Sequence, residues 1–354
     1  MTTRSFRIST PVNSLALNVN NLSDVVVGQQ SERLFYVSTD TLYNTNSNVF
    51  GTIQAAVTAA TAYQDLYGSN AYIVLPPDIF TEDFVIPRGS VDNGSLGGAR
   101  TSILVFKSLH ASASTSATAT CLIKLTNTLE LTRHIEFIGV SIQQQTADTP
   151  ALKLYDNANT AEQIFIKLSF SAVYGNMSGS FVPPVGGTIT PVIDLTHGLY
   201  NVFVFPNTYI GNFTTGVISP ICIKFGSNNY TTLDTFSAII SGWVQLTGSE
   251  LSTINASSIT KGVYIGETTA ETPANLGGVT LSNCVVGSSY INTDGVLATD
   301  KLVFTNCTCT SPTFITAGPG ALGSKCTVGG LVSSSSSNMS HVGVTIEPAG
   351  VLDP

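Results

Sequence analysis

The chain has 354 residues, of which 43% are hydrophobic and only 10% charged, with a formal net charge of −8. An average soluble domain is about 25% charged. Here Ser, Thr, Asn and Gly supply the polar surface instead of Lys and Glu, which argues against a helical protein and for an all-β chain with many turns. The acidic balance leaves Arg4 and Arg7 as the one basic pair, too little for a nucleic-acid partner.

No apolar run approaches the roughly 18 residues that span a bilayer, so no membrane insertion is expected. The opening MTTRSFRISTPVNS lacks the apolar core of a secretory signal. The expectation is a protein made in the cytoplasm, which stays there or leaves inside an assembled particle.

Residues 1–33 precede any clear pattern and read as an arm or an extra strand. From Leu34 the chain continues LFYVSTDTLYNTNSNVFGTIQAAVTAATAYQDLYGSN and then AYIVLPPDIFTEDFVIPRG. Ile53, Val57, Ala60, Gln64 and Tyr67 follow helical spacing. Thr52 suits an N-cap and Gly68 the residue after the last turn, which predicts a helix near 53–67. An apolar strand Tyr72–Leu75 follows, stopped by Pro76 and Pro77, and then a second strand, Phe84–Ile86, stopped by Pro87.

This order of elements resembles the N-terminal end of the pectate-lyase and pectin-methylesterase superfamily. The likeness rests on Phe35-Tyr-Val-Ser38, Thr52-Ile-Gln-Ala-Ala-Val57, Ile73-Val-Leu-Pro-Pro77 and Phe80-Thr-Glu-Asp-Phe-Val-Ile86. One departure is Asp78-Ile79, where that family usually has Gly and any residue before the aromatic. The resemblance covers about 55 residues and implies a single-stranded right-handed parallel β-helix with an N-terminal helix cap. It implies little about activity, because one fold hosts many functions.

Past Arg100, short strands recur every 20 to 25 residues, as in a solenoid. They read as 102–106, 121–125, 135–142, 151–154, 163–168, 192–195, 202–205 and 221–225. A clearer repeat sets Val279-Thr-Leu-Ser-Asn-Cys284 against Leu302-Val-Phe-Thr-Asn-Cys307, offset by 23 residues, one plausible coil. Asn283 would then stack on Asn306 and Cys284 on Cys307. The solenoid is expected over 34–310. Beyond it, 311–354 turns rich in Gly, Pro and Ser and reads as an irregular appendage, a cap or an oligomerisation segment. The six cysteines lack paired metal-ligand spacing and are expected as thiols, with no metal site and no cofactor.

The tetrapeptide Asn292-Thr-Asp-Gly295 is the one that carries a catalytic aspartate in polygalacturonase-type enzymes, which makes Asp294 a candidate acid and Asp300 its nearest carboxylate. An inverting hydrolase needs two carboxylates roughly 6.5–9.5 Å apart. That family's second pair would fall near Phe314-Ile-Thr316, where no acid stands; Gly-His-Gly is absent, and no arginine follows Arg133. Gln64-Asp-Leu-Tyr67 resembles a pectin-methylesterase fragment but lies on the predicted helix. Asp78, Glu82 and Asp83 form the one dense acidic group, expected as a solvated turn, not a Ca²⁺ site. Arg133, His134 and Glu136 could be read as a constellation, although strand alternation makes His134 and Glu136 mere same-face neighbours. Eight sequons, Asn176 and Asn212 among them, fit chance in so Asn- and Ser-rich a chain.

The sequence therefore predicts a non-catalytic structural protein exposed on a virus particle, of minor-capsid, fibre or tailspike type. Viral proteins of this look are usually homotrimers, so self and other virion proteins are the expected partners, with host surface glycans as a further class. Two alternatives stay open: a polysaccharide-degrading tailspike-type hydrolase or lyase, and a glycan-binding adhesin without catalysis.

Overall fold

Strands among the described residues are two to eight residues long, and many alternate apolar with polar positions, so that each can bury one face. In the computed structural model every strand pairing among the described residues is parallel. The structure describes residues 32–38, 48–88, 102–109, 121–155, 163–181, 190–196, 200–213, 218–225, 230–234, 237–246, 252–255, 258–265, 279–282, 285–292, 302–305, 308–309, 314–316, 320–322, 327–328, 331–333, 340–341, 345–346 and 351–353.

Most of the pairings sort into three ladders that the chain visits in turn, an arrangement compatible with a parallel β-helix, and two smaller parallel sheets of five and two strands lie later in the chain. The first runs through Glu32–Val37, Asn70–Leu75, Leu104–Ser108, Ile135–Ile138, Gln163–Ser169, Tyr200–Val204 and Tyr230–Asp234. The second runs through Ile79–Thr81, Leu122–Leu125, Ser141–Gln144, Ala172–Gly175, Tyr209–Asn212 and Ile239–Ile240. The third joins Leu129–Leu131, Leu152–Leu154, Ile193–Leu195, Ile221–Phe225 and Trp243–Leu246. The long strands Ser258–Ile265 and Val285–Asn292 belong to both of the last two, which links them into one 17-strand sheet.

The repeat length differs from the expected 20 to 25 residues through the middle of the chain. Leu104, Ile135 and Ile166 stand in register 31 residues apart. The sequence pattern mixed strands of different ladders, and two of those strands read as one: Gly139, at φ 65°, divides 135–142 into Ile135–Ile138 and Ser141–Gln144. The 23-residue offset holds, since Val279 pairs with Leu302. Asn283, Cys284, Asn306 and Cys307 lie outside the described residues. In 311–354, where an irregular segment was expected, parallel-paired strands of two or three residues recur as far as Asp353, each too short to show a periodicity in the sequence.

The core is built from stacked rows. On the second ladder Phe80, Ile123, Ile142, Val173, Ile210, Ile240 and Ile259 stand in register and are all buried. The register extends the row through Val286, Cys309, Val328 and Ile346. On the first ladder Phe106 stacks on Phe137 at 4.8 Å, with Phe84 beside Phe106 at 5.6 Å.

The corner between the first and second ladders repeats a left-handed residue. Gly139, Phe170, Asn207 and Ser237 occupy equivalent places at φ 65°, 51°, 51° and 55°. Amides there bond to the next coil, Gly139 N–H to the Ser169 carbonyl at 2.9 Å and Phe170 N–H to that of Pro206 at 3.2 Å. The hydroxyls one position on reach the other way: Thr208 Oγ1 donates to the Leu168 carbonyl at 2.7 Å, and Ser171 Oγ to that of Phe137 at 3.3 Å. A left-handed conformation costs a residue with a Cβ roughly 1–2 kcal/mol.

Among the described residues there is one helix, α1 (Ile53–Tyr67), which covers the start of the stack as its spacing predicted. Thr52 Oγ1 accepts from Ala55 N–H at 3.1 Å, and Gly68, at φ 64°, donates to the Gln64 carbonyl. The buried face is Ile53, Ala56, Val57, Ala60 and Tyr63. The predicted strand Phe84–Ile86 is not a ladder strand. Its residues alternate in burial, but the Gln54 carboxamide takes Val85 N–H at 2.7 Å and donates to the Val85 carbonyl at 3.2 Å. Ile79–Thr81 enters the second ladder in its place.

Truncating the row should cost far more than trimming the surface beside it. Ile210→Ala should lower stability in urea by about 2–5 kcal/mol, while Ile239→Ala, 40% exposed, should stay within about 0.5 kcal/mol. Phe170→Asn should raise stability by about 1 kcal/mol by easing the left-handed corner. Denaturant melts of the three variants check all of this.

Candidate functional site

The carboxylates with the strongest sequence claim, Asp294 and Asp300, lie outside the described residues. Their surroundings are partly placed. Asn292 ends the strand Val285–Asn292, and the register sets Phe314, Ile315 and Thr316 beside Tyr290, Ile291 and Asn292. The position where a polygalacturonase would supply its second acids is thus one coil away and in register, and it carries Phe, Ile and Thr.

The dense acidic group divides its labour. Glu82 caps helix α1, accepting from Ile53 N–H at 2.9 Å and Gln54 N–H at 3.0 Å, where the helix dipole favours negative charge. Asp83 accepts from Thr126 N–H at 2.7 Å and Asn127 N–H at 3.0 Å, and from the Thr126 hydroxyl and the Asn127 amide, all on the following coil. Partial burial opposes its charge, but these hydrogen bonds outweigh burial and hold the Asp83 carboxyl below the usual carboxylate range. Among the described residues no group of His, Cys, Asp and Glu is arranged to hold a metal ion.

The Arg133, His134 and Glu136 trio is pulled apart by its neighbours. Arg133 donates to the Pro87 carbonyl from Nε at 2.9 Å and from Nη2 at 2.6 Å, and to Gln64 Oε1 at 2.9 Å; Asp65 lies 3.5 Å away. It thereby ties helix α1 to the extended segment below it, and Gln64-Asp-Leu-Tyr67 is one half of that clasp. His134 Nδ1 accepts from Phe165 N–H at 2.9 Å, one coil on. Glu136 pairs with Lys167 at 2.7 Å, its partner in register. Each group bridges coils.

Two features were not singled out in the sequence. Asp148, at φ 52°, accepts from Ser178 N–H at 2.9 Å and from the Ser178 hydroxyl, and these bonds hold its carboxyl below the ordinary range despite slight burial. It repeats the Asp83 staple on other coils. On the outer side of the second ladder, Tyr174 and Tyr209 pack at 5.5 Å between ring centres. Burial, and then the neighbouring Tyr209, hold the Tyr174 phenol above its ordinary value.

The cysteines and sequons within reach are structural. Cys121 and Cys222 are buried free thiols; burial, with Asp78 adding to it, pushes Cys121 up to about 12, and burial alone pushes Cys222 higher. Asn212 is 4% exposed and accepts from Met177 N–H at 2.8 Å while donating to its carbonyl at 3.0 Å. That sequon asparagine is held inside.

Both staples have folded-state carboxyl values below the unfolded one. Their stabilisation is therefore present above the unfolded carboxylate value and is lost as pH falls through the lower folded value. Wild-type protein should lose thermal stability steeply below about pH 4. The Asp83→Asn, Asp148→Asn double variant should melt lower at pH 7 and show a shallower acid dependence, read by circular dichroism across pH 2–7.

Comparison with protein-family models, with curated proteins and with solved structures finds no match for this chain.

Proposed function

We propose that this protein is a structural component of a particle assembly, a right-handed parallel β-helix displayed on a virion and packed there with copies of itself. The observation that carries the reading is the continuity of the stack. One row of the second ladder passes from Phe80 to Ile346 over ten rung steps, about 48 Å at the spacing of paired strands. Such a stack supplies length and stiffness, and its cost in charge is low. The likeness of residues 34–88 to the pectate-lyase superfamily supports the right-handed sense.

The engagement of Glu82, Asp83, Arg133, His134, Glu136 and Asp148 in bridging coils supports the same reading. Each of these groups, in a hydrolase, would have to leave such a bond to meet a substrate. A trimer packs three stacks about an axis, which shields sheet faces that would otherwise meet solvent.

Mass spectrometry of purified particles tests the proposal, with the chain expected among particle proteins; its absence there would sink the reading. Light scattering on the isolated protein should give three times the chain mass. A screen against host-type polysaccharides should show no turnover. Turnover that disappears in Asp294→Asn or Asp300→Asn would instead establish the hydrolase alternative.

A further inference from the structure

The outward rows of the three ladders differ in charge. On the second ladder one row starts at Ile79 and runs in register through Leu122, Ser141, Ala172, Tyr209 and Ile239. It reaches Val285 through Ser258, and the register carries it on to Thr345 without meeting a charged residue. From Ile79 to Ser258 each member stands one position before a member of the buried row that starts at Phe80, so alternation turns it away from the core. Ile79, Ile239 and Val285 are 58%, 40% and 49% exposed, three branched apolar side chains in solvent along one line.

The other two ladders carry charge in the corresponding places. An outward row of the first passes Glu136, Lys167 and Asp234 in register, and one of the third passes Glu130, Lys153, Asp194 and Lys224. Symmetry makes this difference count. Copies arranged about an axis along the stack differ by rotation alone, so each residue of the row nearest the axis meets its own copy at the same height. A charge in that row would always face its like, which costs the assembly. Of these three rows only the one from Ile79 can face itself.

We propose that the outer face of the second ladder, centred on the row from Ile79 to Val285, is the surface by which copies of this chain pack side by side, each row residue against its own copy. The inference rests on the self-packing read above and names the face that performs it. Ten rung steps and the width of a four-residue strand give a strip of about 48 by 13 Å, so two facing strips bury roughly 1,200 Å², enough for a specific interface. Lys124 lies two residues to one side, next to Thr81 in register. Rotation brings that margin against the opposite margin of the neighbour, so Lys124 does not meet its own copy.

The test is the mass of the full chain in solution, read by light scattering. Wild-type protein should be oligomeric. Ile239→Glu and Val285→Glu, each setting a charge against its own copy, should weaken self-association at least tenfold and give single chains. Ile239→Lys should do the same, and mixing it in equal amounts with Ile239→Glu should restore oligomers, because unlike charges then meet. Leu66→Glu, at an exposed position on helix α1 away from the strip, should keep the wild-type mass. An unchanged circular dichroism spectrum, and the rescue itself, show that the single variants stay folded. A monomeric wild type would overturn the self-packing reading and this inference with it. Wild-type oligomers that persist in Ile239→Glu and Val285→Glu, an equal loss in Leu66→Glu, or a mixture that stays monomeric would overturn the choice of face alone.

Discussion

A strand in this chain has no hydrogen-bond partner nearby in sequence. Its ladder neighbours lie a whole coil before and a whole coil after, so every backbone group depends on coils stacking in register. A hairpin can settle its register with a two-residue turn; a stack cannot. Register here must be set by side chains inside the stack and at its corners. The apolar row from Phe80 to Ile259 does the first, since a slip of one residue would turn every member outward. The left-handed corners from Gly139 to Ser237 do the second, with the Gly139 and Phe170 amides fixed to carbonyls of the next coil.

Where the chain leaves the ladders, side-chain amides stand in for a missing strand. Gln54 serves both backbone groups of Val85, and Asn212 serves both of Met177. In each pair one carboxamide supplies the acceptor and the donor that a neighbouring strand would have offered. Aspartates perform a related task with charge, Asp83 and Asp148 collecting amides and hydroxyls from the following coil. The abundance of Asn, Gln, Ser and Thr is thus tied to the number of turns that need their backbone satisfied away from water.

How much of this was legible depends on range. Helix α1 and both its caps were readable because spacing, Thr52 and Gly68 are local signals. Phe84–Ile86 misled because alternating burial looks the same whether the partner is a strand or the Gln54 side chain. The coil length misled because alternation marks a strand but not its ladder, so 121–125 and 135–142 looked like successive rungs although Ile135–Ile138 belongs to another ladder. The contact between Tyr174 and Tyr209 was invisible for a further reason: it joins residues of successive coils, a meeting that only the register determines.

The low charge follows from the same geometry. In a stack each outward residue has the residues of adjacent coils about 4.8 Å above and below it. Like charges so placed repel by about 1 kcal/mol at 4 Å even in bulk water, and more at a protein surface. A row of one sign is therefore self-destabilising, and the repulsion grows with every coil added. Neutral residues avoid it, as Leu122, Ser141, Ala172 and Tyr209 do along the second ladder. The remaining solution is strict alternation, and one outer row of the third ladder adopts it, running Glu130, Lys153, Asp194 and Lys224 in register. Beyond Lys224 that row continues with Gln245, which leaves the alternation closed on an uncharged residue.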